Sequence, residues 1–337
     1  MTIATLELAA LSNDEQIAHL TRVARAAMRH WDLDDDGLTL LKYRENAVFA
    51  LPGRAILRLH RPGYRSDQHI RSELAWIEAL RRAGIATPAV LSTRGGDVIA
   101  RAEADGFTAR QCDLLGWVDG APLGTLEGGV DLDEATLRRT YRTVGEIAAR
   151  IHAHGRSWQR PAGFTRPAWD LATLIGEQPT FGNFWDLEQL EPAQLELLFR
   201  ARDRARAELS ALGRDDAIFG LTHGDLVPDN ILSGPAGLRV VDFDDCGDSW
   251  YGFELATSIF PLQGSPAFEP ARDAYVEGYA TAGSVESLQL DAMPAFLMAR
   301  ALSYLGWPVG RPEIESGRNL APMLVYLICE YAEIYLS

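Results

Sequence analysis

Three features are scarce in this sequence, and each scarcity excludes a class of protein. The chain has three cysteines, Cys112, Cys246 and Cys329, with no Cys-x2-Cys spacing, which excludes a disulfide framework and a cysteine-based metal site. No run of about eighteen apolar residues occurs, and the N-terminus has no cationic segment leading an apolar core, so a membrane span and export are not expected. We therefore expect a cytoplasmic protein with reduced thiols.

Positive charge is the third scarce feature. The 32 lysine and arginine residues are outnumbered by 47 aspartate and glutamate residues, so the formal net charge is -15 and the pI is near 4.9. Nucleic acid and anionic membrane surfaces would repel such a chain, and neither is expected as a partner. With 337 residues, 47% of them hydrophobic, the chain is long enough to bury a large core and to form two lobes.

The most informative stretch runs from residue 223 to residue 244. It reads His-Gly-Asp-Leu-Val-Pro-Asp-Asn at 223–230 and Val-Val-Asp-Phe-Asp at 240–244. Short apolar segments around the first run predict a tight loop, and the Gly-Pro-Ala-Gly turn that follows predicts a returning strand, which would bring Asp242 beside Asn230. This arrangement of two carboxylates and one amide is what phosphoryl transfer requires.

The chemistry of these side chains indicates a role for each. Magnesium takes oxygen ligands and is commonly held by one or two carboxylates together with nucleotide phosphates, so Asn230 and Asp242 are candidate metal ligands. Asp225 is then left as the catalytic base that acts on a hydroxyl. The alternative interpretation is an ordinary turn, in which Asp225 and Asp229 cap the loop and residues 242–245 are solvated.

This motif resembles that of the aminoglycoside phosphotransferase and choline kinase superfamily, the small-molecule relatives of the protein kinases. The resemblance implies an α+β, bilobal, protein-kinase-like fold, with an N-terminal antiparallel sheet lobe at 1–115 and a larger helical C-terminal lobe at 116–337. It implies ATP as co-substrate and Mg2+ as cofactor. It also implies that Asp225 is the catalytic base and that Asn230 and Asp242 bind the magnesium ion.

The resemblance extends to the first part of the chain. Residues 38–51 resemble two strands joined by the nucleotide-covering loop, and Arg54 to His60 resembles the third strand. Arg58 stands where the family carries its phosphate-binding lysine, and a guanidinium can also pair with phosphate. The resemblance implies that Glu73, on a helix expected over about Ser66 to Ala83, pairs with this cation.

Two further segments of the first lobe carry expectations about the nucleotide. The covering loop has no Gly-x-Gly-x-x-Gly run, so backbone amides near Glu45 and Asn46 are expected to contact the phosphates. The segment from about Cys112 to Val118 resembles the hinge whose backbone holds the adenine in this superfamily, and Cys112 and Leu114 are its candidate cofactor-binding residues. Glu78 lies on the same helix as the predicted partner of the strand cation and is the alternative partner.

The rest of the chain is expected to be mostly helical, because its apolar residues recur at helical spacing between capping residues and glycines. Glu254 stands where the family has an aspartate that braces the catalytic loop. The predicted helices cover residues 13–30, 66–83, 133–151, 192–212, 252–259, 269–281, 285–305 and 312–335.

In this superfamily the acceptor binds to the helical lobe, so the resemblance implies an acceptor site of acidic and aromatic residues from that lobe. The Asp-Phe-Asp-Asp run at 242–245 is similar to a subgroup that includes bacterial stress-response kinases and kinases resembling the homoserine and hydroxylysine enzymes. Three activities stay open: a small-molecule kinase for an amino alcohol, a hydroxy amino acid or an aminoglycoside; a stress-response-type Ser/Thr protein kinase; and a nucleotide-binding pseudokinase. The candidate acceptor residues are Asp245, Asp248, Trp250, Tyr251, Trp307, Glu330 and Glu333.

Overall fold

The computed structural model describes residue 8 and residues 10–125, 128–312 and 314–337. The chain divides into two compact units. The first ends at Gly120, rather than at the predicted boundary after residue 115, and two later short segments belong to it. The first unit comprises Met1–Gly120, Arg160–Thr165 and Pro312–Ser316; the second comprises Ala121–Gln159, Arg166–Arg311 and Gly317–Ser337.

The first unit is built around an antiparallel sheet with the strand order β1-β2-β3-β6-β4, in which β5 also pairs with β6. Alternate residues of the central strands, such as Phe49 and Leu57, are fully buried against the first helix, whose Leu20 and Val23 face them in the same core. This period of two along the strands and 3.6 along the helix follows from the side-chain directions in each element. The strands are β1 (Thr39–Tyr43), β2 (Ala47–Leu51), β3 (Ala55–Leu59), β4 (Val90–Leu91), β5 (Ala100–Ala102) and β6 (Arg110–Gly116).

Helices α1 (Asn13–Met28) and α2 (Asp67–Arg82) of the first unit each begin after a serine that caps them. Helix α1 (Asn13–Met28) has a capping box, because Glu15 N donates to Ser12 Oγ at 3.4 Å and Ser12 N donates to the Glu15 carboxylate at 2.8 Å. Helix α2 (Asp67–Arg82) is capped by Ser66, whose Oγ accepts from His69 N at 3.1 Å. Both lie close to the helices predicted over 13–30 and 66–83.

The second unit consists mainly of helices, two of which approach each other closely. A Cβ atom added at Gly145 would lie 2.0 Å from Tyr275 O, and one at Gly278 would lie 1.8 Å from Arg142 O, so neither position has room for a side chain. The helices are α3 (Glu134–Ser157), α4 (Leu171–Ile175), α5 (Pro192–Leu212), α6 (Tyr251–Ile259), α7 (Phe268–Tyr279), α8 (Met293–Gly310) and α9 (Glu315–Leu336).

Two small sheets of the second unit carry the loops of the motif region. One has the order β11-β10-β7, and the other has the order β8-β12-β9 with β12 parallel to β8. An antiparallel sheet followed by a largely helical part is the α+β architecture that the sequence predicts, and it is confirmed. The strands are β7 (Ala121–Pro122), β8 (Ala168–Trp169), β9 (Phe219–Thr222), β10 (Ile231–Gly234), β11 (Gly237–Val240) and β12 (Gly247–Trp250).

Two predicted helices have other bounds in the structure. Helix α3 continues to Ser157 instead of ending near residue 151, since His152 and Gly155 are buried on its inner face. The helix predicted over 285–305 begins only at Met293, after two short 3-10 turns separated by Gln289 in the left-handed conformation (φ 48°). A left-handed residue interrupts the i to i−4 hydrogen bonds, and Pro294 then occupies the first turn, where its missing N–H has no cost.

None of the helices within the described ranges has both the length and the apolarity that crossing a membrane demands. All three cysteines are buried and free of disulfides.

Candidate active site

The catalytic loop follows β9 and begins at a glycine that no other residue could replace. Gly224 has φ 83°, and a Cβ atom there would lie 2.2 Å from the carbonyl oxygen of Asp245. His223 holds the loop from its other side, because its Nε2 lies 3.0 Å from Val241 O and its Nδ1 accepts from Asp225 N at 3.2 Å. The ring therefore orients the loop and is not presented to a reactant.

Asp225 and Asn230 are joined by hydrogen bonds within this loop. Asn230 Nδ2 donates to Asp225 O and to Asp225 Oδ2, both at 2.9 Å. The Asn230 side chain is almost fully buried, and its Oδ1 accepts no hydrogen bond within the described part of the chain. An amide oxygen held in this way is suited to a hard cation, which prefers oxygen ligands.

Asp242 is brought next to Asn230 by the hairpin of β10 and β11. Ile231 pairs with Val240 in this hairpin, and Val241 N donates to Asn230 O at 3.0 Å, so the two backbones are adjacent where Asp242 begins. Asp242 is one of the few non-glycine residues with a positive φ, 64°. Such a conformation has an energetic cost, and residues that adopt it cluster at functional sites, where the surroundings maintain it.

The segment after Asp242 is anchored through its carbonyl groups. Arg166 donates to the carbonyl oxygens of Asp244 and Cys246, the latter at 2.7 Å, and Trp169 Nε1 donates to Asp245 O. These contacts maintain the left-handed backbone conformation of Asp242 and keep the Asp245 carbonyl group close to Gly224. The motif region is therefore a rigidly held pair of loops and not a solvated turn.

Arg300, on α8, contacts the catalytic loop and was not among the residues found from sequence. Its Nη2 donates to Asp225 Oδ1 and, at 3.0 Å, to the hydroxyl of Tyr304, and its guanidinium lies 4.4 Å from the centre of the Tyr304 ring. Burial would lower the pKa of Arg300, but the neighbouring Tyr304 and Asp225 outweigh burial and raise that pKa above its ordinary value. The guanidinium is thus permanently charged.

The two carboxylate oxygens of Asp225 are consequently held by different partners, Oδ1 by Arg300 and Oδ2 by Asn230. The Asp225 side chain is still 25% exposed, whereas the Arg300 side chain is 6% exposed. The carboxylate is therefore fixed in orientation while one side of it stays accessible. A sequence signal for Arg300 exists: it is a single charged residue within the apolar run Met-Pro-Ala-Phe-Leu-Met-Ala-Arg-Ala-Leu, and a buried charge requires a partner.

Glu254 supports the catalytic loop through a buried network of hydrogen bonds. Its Oε1 accepts from Gly224 N at 2.8 Å, and its Oε2 lies 2.6 Å from His152 Nε2. Burial would raise the pKa of Glu254, but His152 and the Gly224 amide more than compensate and lower it. His152 Nδ1 in turn contacts the Tyr279 hydroxyl at 2.8 Å. His152 therefore belongs to this buried network, one residue beyond the predicted end of its helix at residue 151.

The first unit contains a second ionic cluster, formed by Arg58, Glu73 and Asp113. Arg58 Nη1 lies 2.6 Å from Glu73 Oε1, and its Nε and Nη2 bind the two oxygens of Asp113 at 2.9 and 2.8 Å. Glu78, the alternative partner, instead pairs with two solvent-exposed arginines of the same helix, Arg81 and Arg82.

Asp113 was not predicted from sequence, although it lies directly opposite Arg58 in the pairing of β3 with β6. His60 Nε2 lies 2.6 Å from the same carboxylate. Burial would raise the pKa of Asp113, but Arg58 and His60 reverse this effect and lower the pKa to about 2. The side chains of Arg58, Glu73 and Asp113 are all at most 3% exposed, so this cluster lies inside the unit.

The predicted covering loop is a short turn at residues 44–46 between β1 and β2. Arg44 N donates to Asn46 O at 3.2 Å, and Asn46 Oδ1 accepts from Arg61 N at 3.4 Å. The Glu45 carboxylate lies 3.9 Å from Arg61 Nη1. Asn46 therefore stabilises the turn through its side chain.

The structure places Cys112 and Leu114 in the middle of the sheet. Their side chains are fully buried in the core, and β6 is flanked by β3 on one side and by β4 or β5 on the other. Neither residue presents a side chain to a ligand. Backbone groups without a sheet partner begin later, after Trp117 N donates to Arg54 O at 3.2 Å. This position lies within the hinge expected over Cys112 to Val118, and its contact with the adenine stays a prediction.

The predicted acceptor residues do not form one group. Trp250 is buried and donates from Nε1 to Gly213 O at 2.8 Å, Tyr251 is buried and stacks on His152 with ring centres 4.3 Å apart, and Glu330 is exposed on α9. These three belong to the core or to the outer surface, which corrects that part of the prediction. The residue types alone could not show whether each side chain would be buried in the core, exposed on the surface or directed into a ligand site.

Asp248 lies in β12 opposite Leu221 and acts electrostatically on Tyr251, so it belongs to the same region as the buried aromatic residues. Asp245 instead contributes to the raised pKa of Arg300, and Trp307 follows Arg300 and Tyr304 at helical spacing on α8. Of the acceptor candidates, Asp245 lies near Arg300 and Gly224, and Trp307 shares the face of α8 that carries Arg300 and Tyr304.

Comparison with known proteins agrees with this geometry. A family model described as the phosphotransferase enzyme family matches residues 40–294. Amicoumacin kinase of Bacillus subtilis is 24% identical over 308 residues, which cover 87% of this chain and 85% of that protein. An uncharacterized protein of Deinococcus radiodurans is 27% identical over 304 residues, which cover 86% and 82%.

Solved structures show the same architecture. The microcompartment-associated aminopropanol kinase superposes with a TM-score of 0.82 at 29% identity, over 94% of this chain and 97% of that one. Amicoumacin kinase hAmiN, solved with AMP-PNP, Ca2+ and Ami, superposes with a TM-score of 0.71 at 18% identity, over 96% of each chain. The predicted kinase-like fold and relationship to small-molecule kinases are confirmed.

Proposed function

Because the chain belongs to the phosphotransferase enzyme family, we propose that it transfers the γ-phosphate of ATP to the hydroxyl group of a small amino alcohol, with Asp225 as the catalytic base. The observation that carries this proposal is the fixed and accessible Asp225 carboxylate, held by Asn230 on one oxygen and by Arg300 on the other. Phosphoryl transfer depends mainly on positioning and on charge stabilisation, which is what this arrangement supplies.

In the proposed reaction Asp225 accepts a hydrogen bond from the acceptor hydroxyl and receives its proton as the new bond forms. The acceptor oxygen bonds to the γ-phosphorus, the bond between that phosphorus and the β,γ-bridging oxygen breaks, and ADP leaves with the released electron pair. Arg300 and Asn230 keep the carboxylate aimed at the hydroxyl throughout. The proton therefore moves to an oxygen whose position is already set, without a search among rotamers.

Asn230 Oδ1 and the Asp242 carboxylate would hold Mg2+. They are two hard oxygen donors on adjacent backbone segments, and no donor within the described residues competes for the amide oxygen. When bound, the ion neutralises charge on the β- and γ-phosphates. On the adenine side we expect hydrogen bonds from the backbone near Val118, and Glu45 and Asn46 would place the covering turn over the nucleotide.

The choice of an amino alcohol rests on two features. The relative with 29% identity, which covers nearly the whole chain, is an aminopropanol kinase. In addition, Asp229 and Asp245 act electrostatically on Tyr304 and Arg300, so two further carboxylates surround the pair next to Asp225. Acidic side chains in the region around Asp225 favour an acceptor that carries an ammonium group.

The test is an ADP-release screen with Mg-ATP across amino alcohols, hydroxy amino acids, sugars and aminoglycosides. We expect stimulation by small amino alcohols and none in Asp225→Asn. Transfer of labelled phosphate to protein, with no stimulation by any small alcohol, would instead indicate a Ser/Thr protein kinase. Binding of Mg-ATP without ADP release under all conditions would indicate a pseudokinase.

A thermal-shift titration separates the roles of the two aspartates. Asp225→Asn should keep the stabilisation by Mg-ATP, because that residue acts on the acceptor. Asp242→Ala should lose most of it, because that residue would hold the metal ion that binds together with the nucleotide. Equal shifts in both variants would contradict the assignment of Asp242 as a metal ligand.

A further inference from the structure

The sequence contains a single lysine, Lys42, and the structure places it on β1, just before the turn at residues 44–46. Its side chain is half-buried and makes no ion pair or hydrogen bond within the described part of the chain. A cation in an acidic protein normally finds a carboxylate, and many arginines of the same unit do so, for example Arg71 with Asp97. Lys42 is therefore a cation at a defined place on the sheet that has no carboxylate partner among the described residues.

A β-bulge decides the face of the sheet on which Lys42 lies. Leu40 pairs with Phe49, and Lys42 pairs with Val48, so the register shifts by one residue at Leu41. Leu40 and Tyr43 both face α1: Leu40 packs against the core, and the Tyr43 hydroxyl donates to Gln16 Oε1 at 3.2 Å. Without the extra residue, Lys42 would share the face of Leu40; with it, Lys42 points to the opposite face.

Arg58 lies on that same opposite face. Lys42 pairs with Val48, Val48 pairs with Arg58, and Arg58 pairs with Asp113, so the four residues form one row across four neighbouring strands. Residues directly opposite one another in a sheet point to the same side. Neighbouring strands are about 4.8 Å apart, which places the Lys42 backbone roughly 10 Å from that of Arg58.

Arg58 and Lys42, the two cations of this row, differ in the contacts that they make. Arg58 binds Glu73 and both oxygens of Asp113, and it is only 3% exposed. A cation that already balances two buried carboxylates has little charge left for a phosphate. Lys42 has none of these commitments, lies next to the covering turn, and carries a flexible stem and three donors suited to phosphate oxygens.

We propose that Lys42 binds the phosphate groups of the nucleotide and supplies the positive charge that Arg58, bound to Glu73 and Asp113, contributes only in part. The proposal rests on the proposed function, since it concerns the same nucleotide. It assigns a distinct purpose to the bulge at Leu41, because that extra residue is what turns the lysine toward the face of Arg58.

The single lysine makes a direct experiment possible on the unaltered protein. Acetylation with an amine-selective ester can modify only Lys42 and the α-amino group, and peptide mass spectrometry follows the two sites separately. We expect Mg-ATP to slow the acetylation of Lys42 by about tenfold, while the α-amino group reacts at an unchanged rate and serves as the internal control. Equal rates at Lys42 with and without Mg-ATP overturn the proposal.

Variants provide an independent measurement. Lys42→Met should raise the KM for ATP by roughly tenfold, the worth of one charge-assisted hydrogen bond, with little change in the KM for the acceptor. Lys42→Arg should recover most of the loss, and Arg29→Met, which removes an exposed cation, should behave like the wild type. A Lys42→Met protein that folds and keeps the wild-type KM for ATP overturns the inference.

The two proposals fail in distinguishable ways. If wild-type protein shows no thermal shift with Mg-ATP and no ADP release, the proposed function is wrong and the role of Lys42 falls with it. If the wild type binds Mg-ATP and Lys42 remains equally reactive, only the assignment of Lys42 is wrong.

Discussion

Each of the two units contains an arginine that binds carboxylates, but the carboxylate stays partly exposed in one unit and is fully buried in the other. In the second unit Arg300 binds one oxygen of Asp225, and the carboxylate keeps a quarter of its surface exposed. In the first unit Arg58 binds Glu73 and both oxygens of Asp113, and all three side chains are inaccessible. In the proposed reaction the exposed carboxylate of the first pair accepts the proton, whereas the second pair belongs to a buried cluster between the sheet and a helix. The two pairs differ in exposure, and we base the proposed role of Asp225 on that exposure and not on the ion pair itself.

The largest effect is expected where the accessible carboxylate is removed. Asp225→Asn keeps the shape and the contact with Asn230 but loses the proton acceptor, so kcat should fall by about 10²- to 10⁴-fold, the usual worth of a general base. ADP release at saturating acceptor measures this change. Retention of more than a tenth of the wild-type kcat would remove Asp225 from the role of base.

The closed cluster should instead respond in stability. Arg58→Met leaves Glu73 and Asp113 buried without their cation, which should cost about 3–5 kcal/mol in the free energy of unfolding. Urea denaturation provides the measurement. The matched control is Arg71→Met, which removes an exposed pair with Asp97 and should cost less than about 1 kcal/mol. Similar losses in the two variants would contradict the structural role of the buried cluster.

Replacing the other arginine should affect turnover more than stability. In Arg300→Met, Asp225 loses the partner of one oxygen, and we expect kcat to fall by about 10- to 100-fold with a small change in the KM for ATP. Free guanidinium added to this variant should restore part of the activity, and Arg300→Lys should retain more than the Met variant does. No rescue by guanidinium, together with an equal loss in both variants, would show that Arg300 only packs the helix.

The smallest effect is expected on the free energy of unfolding when the pH is lowered. Asp113 has a pKa of about 2 in the folded protein against an ordinary 3.8, so the folded state binds this proton less readily than the unfolded state. Its contribution to stability is therefore complete above about pH 4 and is lost as the pH falls toward 2, by on the order of 2 kcal/mol. Urea denaturation at several pH values tests this. Asp113→Asn should be less stable overall but should show a shallower loss over that interval.

Several site residues could be found from sequence because they lie close together along the chain. Asp225 and Asn230 share one loop, and the turn at 234–237 leads directly back to Asp242, so local turn chemistry was sufficient. Asp113 and Arg300 could not be found in this way. They lie 55 and 75 residues from the side chains that they contact, and only strand pairing and helix packing bring them there.

The acceptor candidates illustrate the same limit. Trp250 and Tyr251 follow the motif closely, yet both face the core, where a hydrogen bond to Gly213 and stacking on His152 hold them. Aromatic residues satisfy a core as readily as a ligand site, and sequence carries no information on which face is covered. Helix α3 extended past residue 151 for a related reason, since Glu254 gives the buried His152 a partner from a distant helix.

Short segments of the sequence carry three properties: the order of polar groups in the motif, the alternation of apolar residues, and the capping serines. Through them the sequence alone determined the phosphotransferase chemistry and the α+β architecture. It also determined that one lysine precedes a turn. The tertiary structure decided which arginine contacts Asp225, which carboxylates surround Arg58, and toward which face of the sheet a single extra residue turns Lys42. These outcomes depend on register and on packing between distant segments, and the free energy of a charge is set by whatever those segments place beside it.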